Sequence, residues 1–407
     1  MLYFEKRNRG KDLYLYMKKF LIILVVLCLV FTGAVGYAAG SGKLGKDTSQ
    51  QSGQELPDIS QLDVEALYKS HESSEVIGTV FGEDLLWGDY FYNLMNQVGS
   101  IQNMFVQMAV NYGVTMDWSS PADDTGRLTY ADAAVAAAER YLVQQAAIRN
   151  YARENNVRLS EESEKELAQR RQEEIASYCG EGAGEEEFEK YLQDMFITTD
   201  VYDRICRTEY YLSDGFLQLY GENGSDFSDA DAVRFMNDNG LIMANHILLS
   251  TLDDEGNELE EAVLKEKEET AQKIYAELME IEDPEELIKR FSELKKEFCE
   301  DPGRDRKPDG MVFGKGEMVP EFEEAAFALE ENALSEPVKS QFGYHIILRM
   351  PIMPDAIFDY DNQNRAVSIR EVAARNEFNK NIMDMAKNAE IRFDGKFEKP
   401  DLLNFVK

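Results

Sequence analysis

Residues Phe20 to Ala39, FLIILVVLCLVFTGAVGYAA, run for 20 residues without a charge, and that run decides where the rest of the chain can fold. A stretch of about 20 apolar residues is long enough to span a bilayer as a helix. It follows Lys18 and Lys19, and residues 1–19 hold six Lys or Arg against Glu5 and Asp12. Positive flanks stay in the cytoplasm, so everything beyond residue 40 is expected outside it. Gly36-Tyr37-Ala38 offers a small-x-small cleavage site. Residues 1–39 therefore read as a signal peptide or as a retained N-terminal membrane anchor, and the length of the run favours the anchor. Cys28 sits inside the run between Leu27 and Leu29, which argues against a lipidated cysteine.

The charge balance narrows the partners. The chain has 407 residues, 43 Lys plus Arg against 77 Asp plus Glu, and a formal charge of −34. Phosphate contacts need clustered basic residues, so a generic nucleic-acid binder is excluded. At 44% hydrophobic, the chain has material for a buried core, and its length suits two or three domains. Cys28, Cys179, Cys206 and Cys299 form no C-x-x-C pair, which argues against structural zinc. A Cys179–Cys206 disulfide stays open in an oxidising compartment, with buried free thiols the plainer reading. Only His71, His246 and His345 can supply imidazole chemistry.

Texture divides the exported part. Residues 40–75 begin rich in Gly, Ser and Gln and read as a flexible linker, with His71 an exposed side chain in it. Residues 76–239 open with a short strand and continue as helices, one over 131–154 with Ala134, Ala138, Tyr141 and Ile148 at helical spacing. Ser160 and Ser228, each followed by acidic residues, mark helix starts. At Gly240 the pattern changes. The stretch 240–352 reads as a strand over 241–250, helices over 261–280 and 285–297, a short helix after Pro320, and strands near Val338 and Tyr344–Met350. Residues 353–407 read as a linker and a helix over about 364–388 that returns to the earlier helices.

Three stretches of the 240–352 segment stand out together: Ala244-Asn245-His246-Ile247-Leu248, Gly316-Glu317-Met318-Val319-Pro320-Glu321-Phe322-Glu323 and Phe342-Gly343-Tyr344-His345-Ile346-Ile347. Singly, each has an ordinary reading as core. In this order they resemble the parvulin family of peptidyl-prolyl cis–trans isomerases. The helical flanks, returning helix and export signal are similar in arrangement to secreted foldases of the PrsA/SurA type. The resemblance implies an α+β fold, a mostly helical chaperone domain built from N- and C-terminal segments. Inserted in it would be a parvulin domain, a four-stranded antiparallel sheet plus helices.

The resemblance also implies roles. His246 and His345 would be catalytic positions on adjacent strands, hydrogen-bonded side by side, with Asp301 beside them. Met318 and Phe322 would wall a pocket for the substrate proline, Phe313 would sit at its rim, and Ser340 would be a nearby hydroxyl. Cys299 receives no nucleophile role, and no metal or cofactor is implied. One departure concerns Pro308-Asp309-Gly310-Met311-Val312-Phe313, where many relatives read G-D-L-G with the Leu lining the pocket. Either Met311 fills that place after a one-residue shift, or the pocket is shallower.

The implied activity is isomerisation of X–Pro bonds in unfolded or nascent exported polypeptides, without a covalent intermediate. Adjacent buried imidazoles are expected to be neutral, because two imidazolium charges repel. The alternative is a holdase chaperone with weak or no isomerase activity. The acidic loop Thr251–Glu258 would repel a phosphorylated substrate, and Arg304-Asp305-Arg306-Lys307 reads as solvated loop. A homodimer is compatible with the sequence but not required by it.

Overall fold

The computed structural model describes residues 62–407; the apolar run, Cys28 and the first part of the expected linker lie outside them. Among the described residues no helix is long and apolar enough to cross a membrane. In chain order the first elements are α1 (Val64–Tyr68), β1 (Val76–Val80), β2 (Glu83–Leu86), α2 (Trp87–Tyr112), α3 (Tyr130–Glu154), α4 (Glu161–Cys179), α5 (Glu185–Asp194), α6 (Thr199–Tyr220) and α7 (Asp229–Asp238). Then come β3 (Ile242–Ser250), α8 (Glu261–Met279), α9 (Pro284–Phe298), β4 (Met311–Phe313), α10 (Pro320–Ala328), β5 (Val338–Ser340) and β6 (Gly343–Met350). The chain closes with β7 (Ile357–Tyr360), β8 (Ala366–Ser368), α11 (Ile369–Lys387) and β9 (Arg392–Phe393). It divides into two compact units, residues up to 215 with 380–407, and residues 216–379. The second is longer at both ends than the 240–352 segment that carries the motifs.

In the first unit, local chemistry sets the helix starts. Thr129 caps α3 in a reciprocal box with Asp132, and Ser160 caps α4 by accepting the Ser163 N–H. Ala131, Ala134 and Ala138 present a small-residue face, buried in one cluster with the large side chains Trp87, Tyr90, Phe91 and Leu94 of α2. A three-stranded sheet, β2-β1-β9, brings the two ends of the described residues together. Leu62 also bridges to Val406, and Asp63 N–H donates to the Phe405 carbonyl at 2.6 Å.

That packing corrects the reading of residues 62–75 as flexible linker. Leu62, Val64 and Leu67 are buried in the core cluster. His71 is likewise not a free linker side chain: its ring lies 4.9 Å from Trp87 and 5.2 Å from Phe397 by centroid, and Nδ1 lies 3.2 Å from Glu75. Sparse apolar residues among polar ones hid this segment, because each of them fills a gap left by distant parts of the chain. Cys179 and Cys206 are free thiols in this unit, not a disulfide, and Cys206 is buried.

The second unit holds the α+β part. It has the four-stranded antiparallel sheet that the resemblance implied, in the order β4-β3-β6-β5. Strands β3 and β6 are buried almost throughout, which accounts for their near-continuous apolar sequences. The segment after Pro354 is not a linker: β7 and β8 pair as a hairpin. Asp361 makes its turn, Oδ1 accepting from the N–H groups of Gln363 and Arg365 at 3.0 and 2.9 Å, with Asn364 at φ +61°.

Gly343 starts β6 at φ +143°, where a Cβ would lie 2.1 Å from the Leu249 carbonyl oxygen. Gly343→Ala is therefore expected to destabilise the sheet by about 2 kcal/mol or more. Urea unfolding followed by circular dichroism checks this, and an unchanged midpoint would refute the close approach.

Candidate active site

Register places the two histidines. His246 pairs with Ile347 and His345 with Leu248, so the imidazoles are diagonal neighbours on one face of the β3–β6 ladder. Their ring centroids are 5.5 Å apart. The same face carries Ile242, Ala244 and Ile347 and receives Phe322 and Ala326 of α10. Pro320 occupies the first turn of α10, where its missing N–H costs nothing. Glu323 then reaches back, and its Oε2 accepts from the N–H groups of Gly316, Glu317 and Met318 at 2.8, 3.1 and 3.3 Å. Phe322 stands edge-on to both imidazoles, 5.4 Å from each.

Asp301 arrives by a different route. β4 pairs with β3 only over Ile242–Ala244, which leaves the later edge of β3 open. Residues 299 and 300 cover it. Leu248 N–H donates to Cys299 Sγ at 3.4 Å, Glu300 N–H to the Leu248 carbonyl at 2.8 Å, and Ser250 N–H to Glu300 Oε2 at 2.7 Å. The next side chain is Asp301, whose Oδ2 lies 3.0 Å from His246 Nε2, close but bent away from hydrogen-bond alignment. Its Oδ1 accepts the Gly303 N–H at 2.6 Å.

The histidines do not hydrogen-bond to each other, contrary to the side-by-side expectation. Each finds its polar neighbour elsewhere: His246 meets Asp301, and His345 Nε2 lies 2.7 Å from Ser340 Oγ, which also accepts the Phe342 N–H. His345 Nδ1 is buried without a partner. Burial pushes His345 down to about 3, helped by neighbouring His246 and only partly opposed by Asp301, so the ring is neutral at pH 7. Asp301 is lowered to about 2, chiefly by its contact with His246, against the opposing effect of burial. The Cys299 thiol is buried, and burial pushes it up.

The apolar side is close-packed. Phe313 is 1% exposed, so it is not at a rim: it forms the floor of the cluster, 5.9 Å from Phe322. Met318 and Met311 are half-buried against the same cluster. Gly310, at φ +122°, comes so near the β3 backbone that a Cβ would lie 2.9 Å from the Ala244 carbonyl oxygen. A Leu could not stand there, and Met311 is the side chain that reaches the cluster.

Two polar residues under the site were not singled out from the sequence. Asn245, on the opposite face of β3, is 2% exposed, and Lys295 of α9 is 7% exposed. Lys295 Nζ donates to Asn245 Oδ1 at 2.8 Å. Burial lowers the Lys295 ammonium from its ordinary range. The signal was present in part: Lys295 follows Phe291 by four residues, on the buried stripe of α9.

Residues 246–350 match the family model of the PPIC-type PPIase domain, a rotamase. The chain carries a parvulin-type domain. In sequence, the chain is 30% identical over 204 residues to a foldase protein PrsA of Halalkalibacterium halodurans, covering 47% of this chain and 53% of that one. It is 36% identical over 137 residues to foldase protein PrsA 4 of Bacillus cereus, covering 33% and 46%. It thus spans about half the length of the curated relatives it matches. Among solved structures, NmPin, the parvuline of Nitrosopumilus maritimus, is 34% identical, covering 28% of this chain and 97% of that chain with a TM-score of 0.20. The parvulin-type domain brings His246, Asp301, His345, Ser340 and Phe322 together, with Met318 and Phe313 in the adjoining cluster.

Acid should weaken this arrangement. The unfolded chain binds a proton on His345 near pH 6.5, whereas the folded chain resists until about 3. The stability from keeping the ring neutral is present above pH 6.5 and is lost as pH falls toward 3. Asp301 adds a loss of the same sign from about pH 4 toward 2. Between pH 6 and 4, His345 alone contributes a slope approaching about 1.4 kcal/mol per pH unit. His345→Gln should flatten the pH dependence of the unfolding midpoint, and an unchanged slope would contradict the buried neutral ring.

Proposed function

We propose that this chain is an extracytoplasmic peptidyl-prolyl cis–trans isomerase that assists the folding of exported polypeptides by rotating X–Pro bonds. The observation that carries the reading is the contact of His246 with Asp301 beside Phe322, at the boundary between a buried polar cluster and an apolar one. The relatives named as foldases add support to the substrate class.

The chemistry needs no nucleophile. Amide resonance imposes a barrier near ~20 kcal/mol, and uncatalysed rotation takes tens of seconds or more. A catalyst must hold the proline ring out of water and favour the twisted amide over either planar form. In our reading Phe322, Met318 and Met311 contact the ring, with Phe313 beneath them. His246 and Asp301 face the twisting amide as a fixed polar pair, and Ser340 with neutral His345 keeps the His246 ring in place. The buried, raised thiol of Cys299 suits a structural role. The acidic loop after β3 argues against phosphorylated substrates, and net charge argues against nucleic acid. Residues 1–39 would deliver the chain outside the cytoplasm, as cleaved signal or as anchor.

Proline-limited refolding of a slow-folding client tests the reading. The wild-type chain should accelerate the slow phase at catalytic concentrations, and Asp301→Ala should reduce kcat/KM by about tenfold or more. If wild type and Asp301→Ala leave the slow phase equally untouched while both suppress client aggregation, the isomerase reading is lost and binding alone remains.

A further inference from the structure

The hairpin β7–β8 lies beyond residues 246–350, which the family model matches, yet it grips the loop that carries Asp301. Residues 301–310 contain neither helix nor strand, and the Asp301, Gly303 and Lys307 carbonyls accept N–H groups from within the loop. Three consecutive carbonyls also accept from side chains on three different elements. The Arg306 carbonyl accepts the Tyr360 hydroxyl of β7 at 2.6 Å. The Lys307 carbonyl accepts Lys295 Nζ of α9 at 3.3 Å, and the Pro308 carbonyl accepts Asn245 Nδ2 of β3 at 3.0 Å.

The hairpin adds two further holds. Lys307 Nζ donates to the Phe358 carbonyl at 2.6 Å, and the Arg306 guanidinium lies over the Tyr360 ring at 4.7 Å. Its other end is fixed. Arg365 donates to both carboxylate oxygens of Glu371 at 2.7 and 3.0 Å, and that side chain is only 2% exposed. A two-stranded hairpin alone is marginal in water, and this ion pair ties it to α11. The loop it holds begins at Asp301 and runs into Met311, one end on the polar side of the site and the other on the apolar side.

We propose that the hairpin 357–368 is a positioning element of the active site, fixing Asp301 against His246 through the backbone of residues 306–308. Tyr360 of the hairpin and Lys307 of the loop are the positioning residues. The inference rests on the isomerase reading for its effect on turnover, but the placement of Asp301 can be read without it.

The test uses the full chain with Tyr360→Phe, Lys307→Met and the pair combined. Tyr360→Phe keeps the ring under Arg306 and removes only the hydroxyl, and Lys307→Met keeps most of the aliphatic stem. The combined variant should melt near the wild type, shift the imidazole nitrogen signals of His246, and lose about three- to tenfold in kcat with a smaller change in KM. Lys307→Arg, which keeps a donor, should restore most of the Lys307→Met loss. Unmoved His246 signals with wild-type kcat would overturn the proposal, as would an activity loss that merely tracks loss of folded protein. If the wild-type chain proves inactive on X–Pro peptides, the isomerase reading fails by itself. The His246 signals then decide: moved, they support the hairpin's role; unmoved, they overturn it.

Discussion

The antiparallel pairing of β3 with β6 is the constraint on which the site depends. It sets His246 and His345 diagonally on one face, and a shift of one residue would turn one of them to the opposite face. The early end of β4 matters as much. Because it leaves the β3 edge unpaired beyond Ala244, the turn after α9 can dock there, and docking places Asp301 at His246. A strand edge that would otherwise invite pairing with another chain is used to place a carboxylate.

Around this ladder the polar groups fall into two layers. Above it, His246, Asp301, His345 and Ser340 border the apolar cluster. Below it, Lys295 and Asn245 form a buried pair whose remaining hydrogen bonds go to the 306–308 loop and the β3 backbone. An isolated ammonium at 7% exposure would be costly, and here Asn245 and one loop carbonyl compensate it. The pair replaces what could have been ordinary core packing, and its return is a loop held in one place.

Much of this was legible in the residues alone. The apolar strand, the Pro-led helix start and the Gly-led strand are local patterns that mark both histidines and Phe322, while Asp301 and the four-stranded sheet came only from what the resemblance implies. What stayed hidden depends on contacts between residues far apart in the chain. The packing of Leu62 and Leu67 needs α2 and the C-terminal segment. Burial of Phe313 needs α10 laid across the sheet. The hairpin could have been found, since Asp361-Asn362-Gln363-Asn364 is a turn between β-forming residues. Its hold on the Asp301 loop could not, because backbone carbonyls leave no mark in a sequence. Gly310 is the instructive case: it departs from the motif where the β3 carbonyl comes too close for any side chain, and Met311 reaches the cluster instead.

The bridge between Leu62 and Val406 has a practical side. The residue where the described chain begins and the one next to its last lie hydrogen-bonded beside each other. A label or fusion attached after Lys407 therefore emerges at the point where the N-terminal segment enters the fold. If that segment holds the protein to a membrane, a C-terminal fluorophore reports the height of this junction above the lipid.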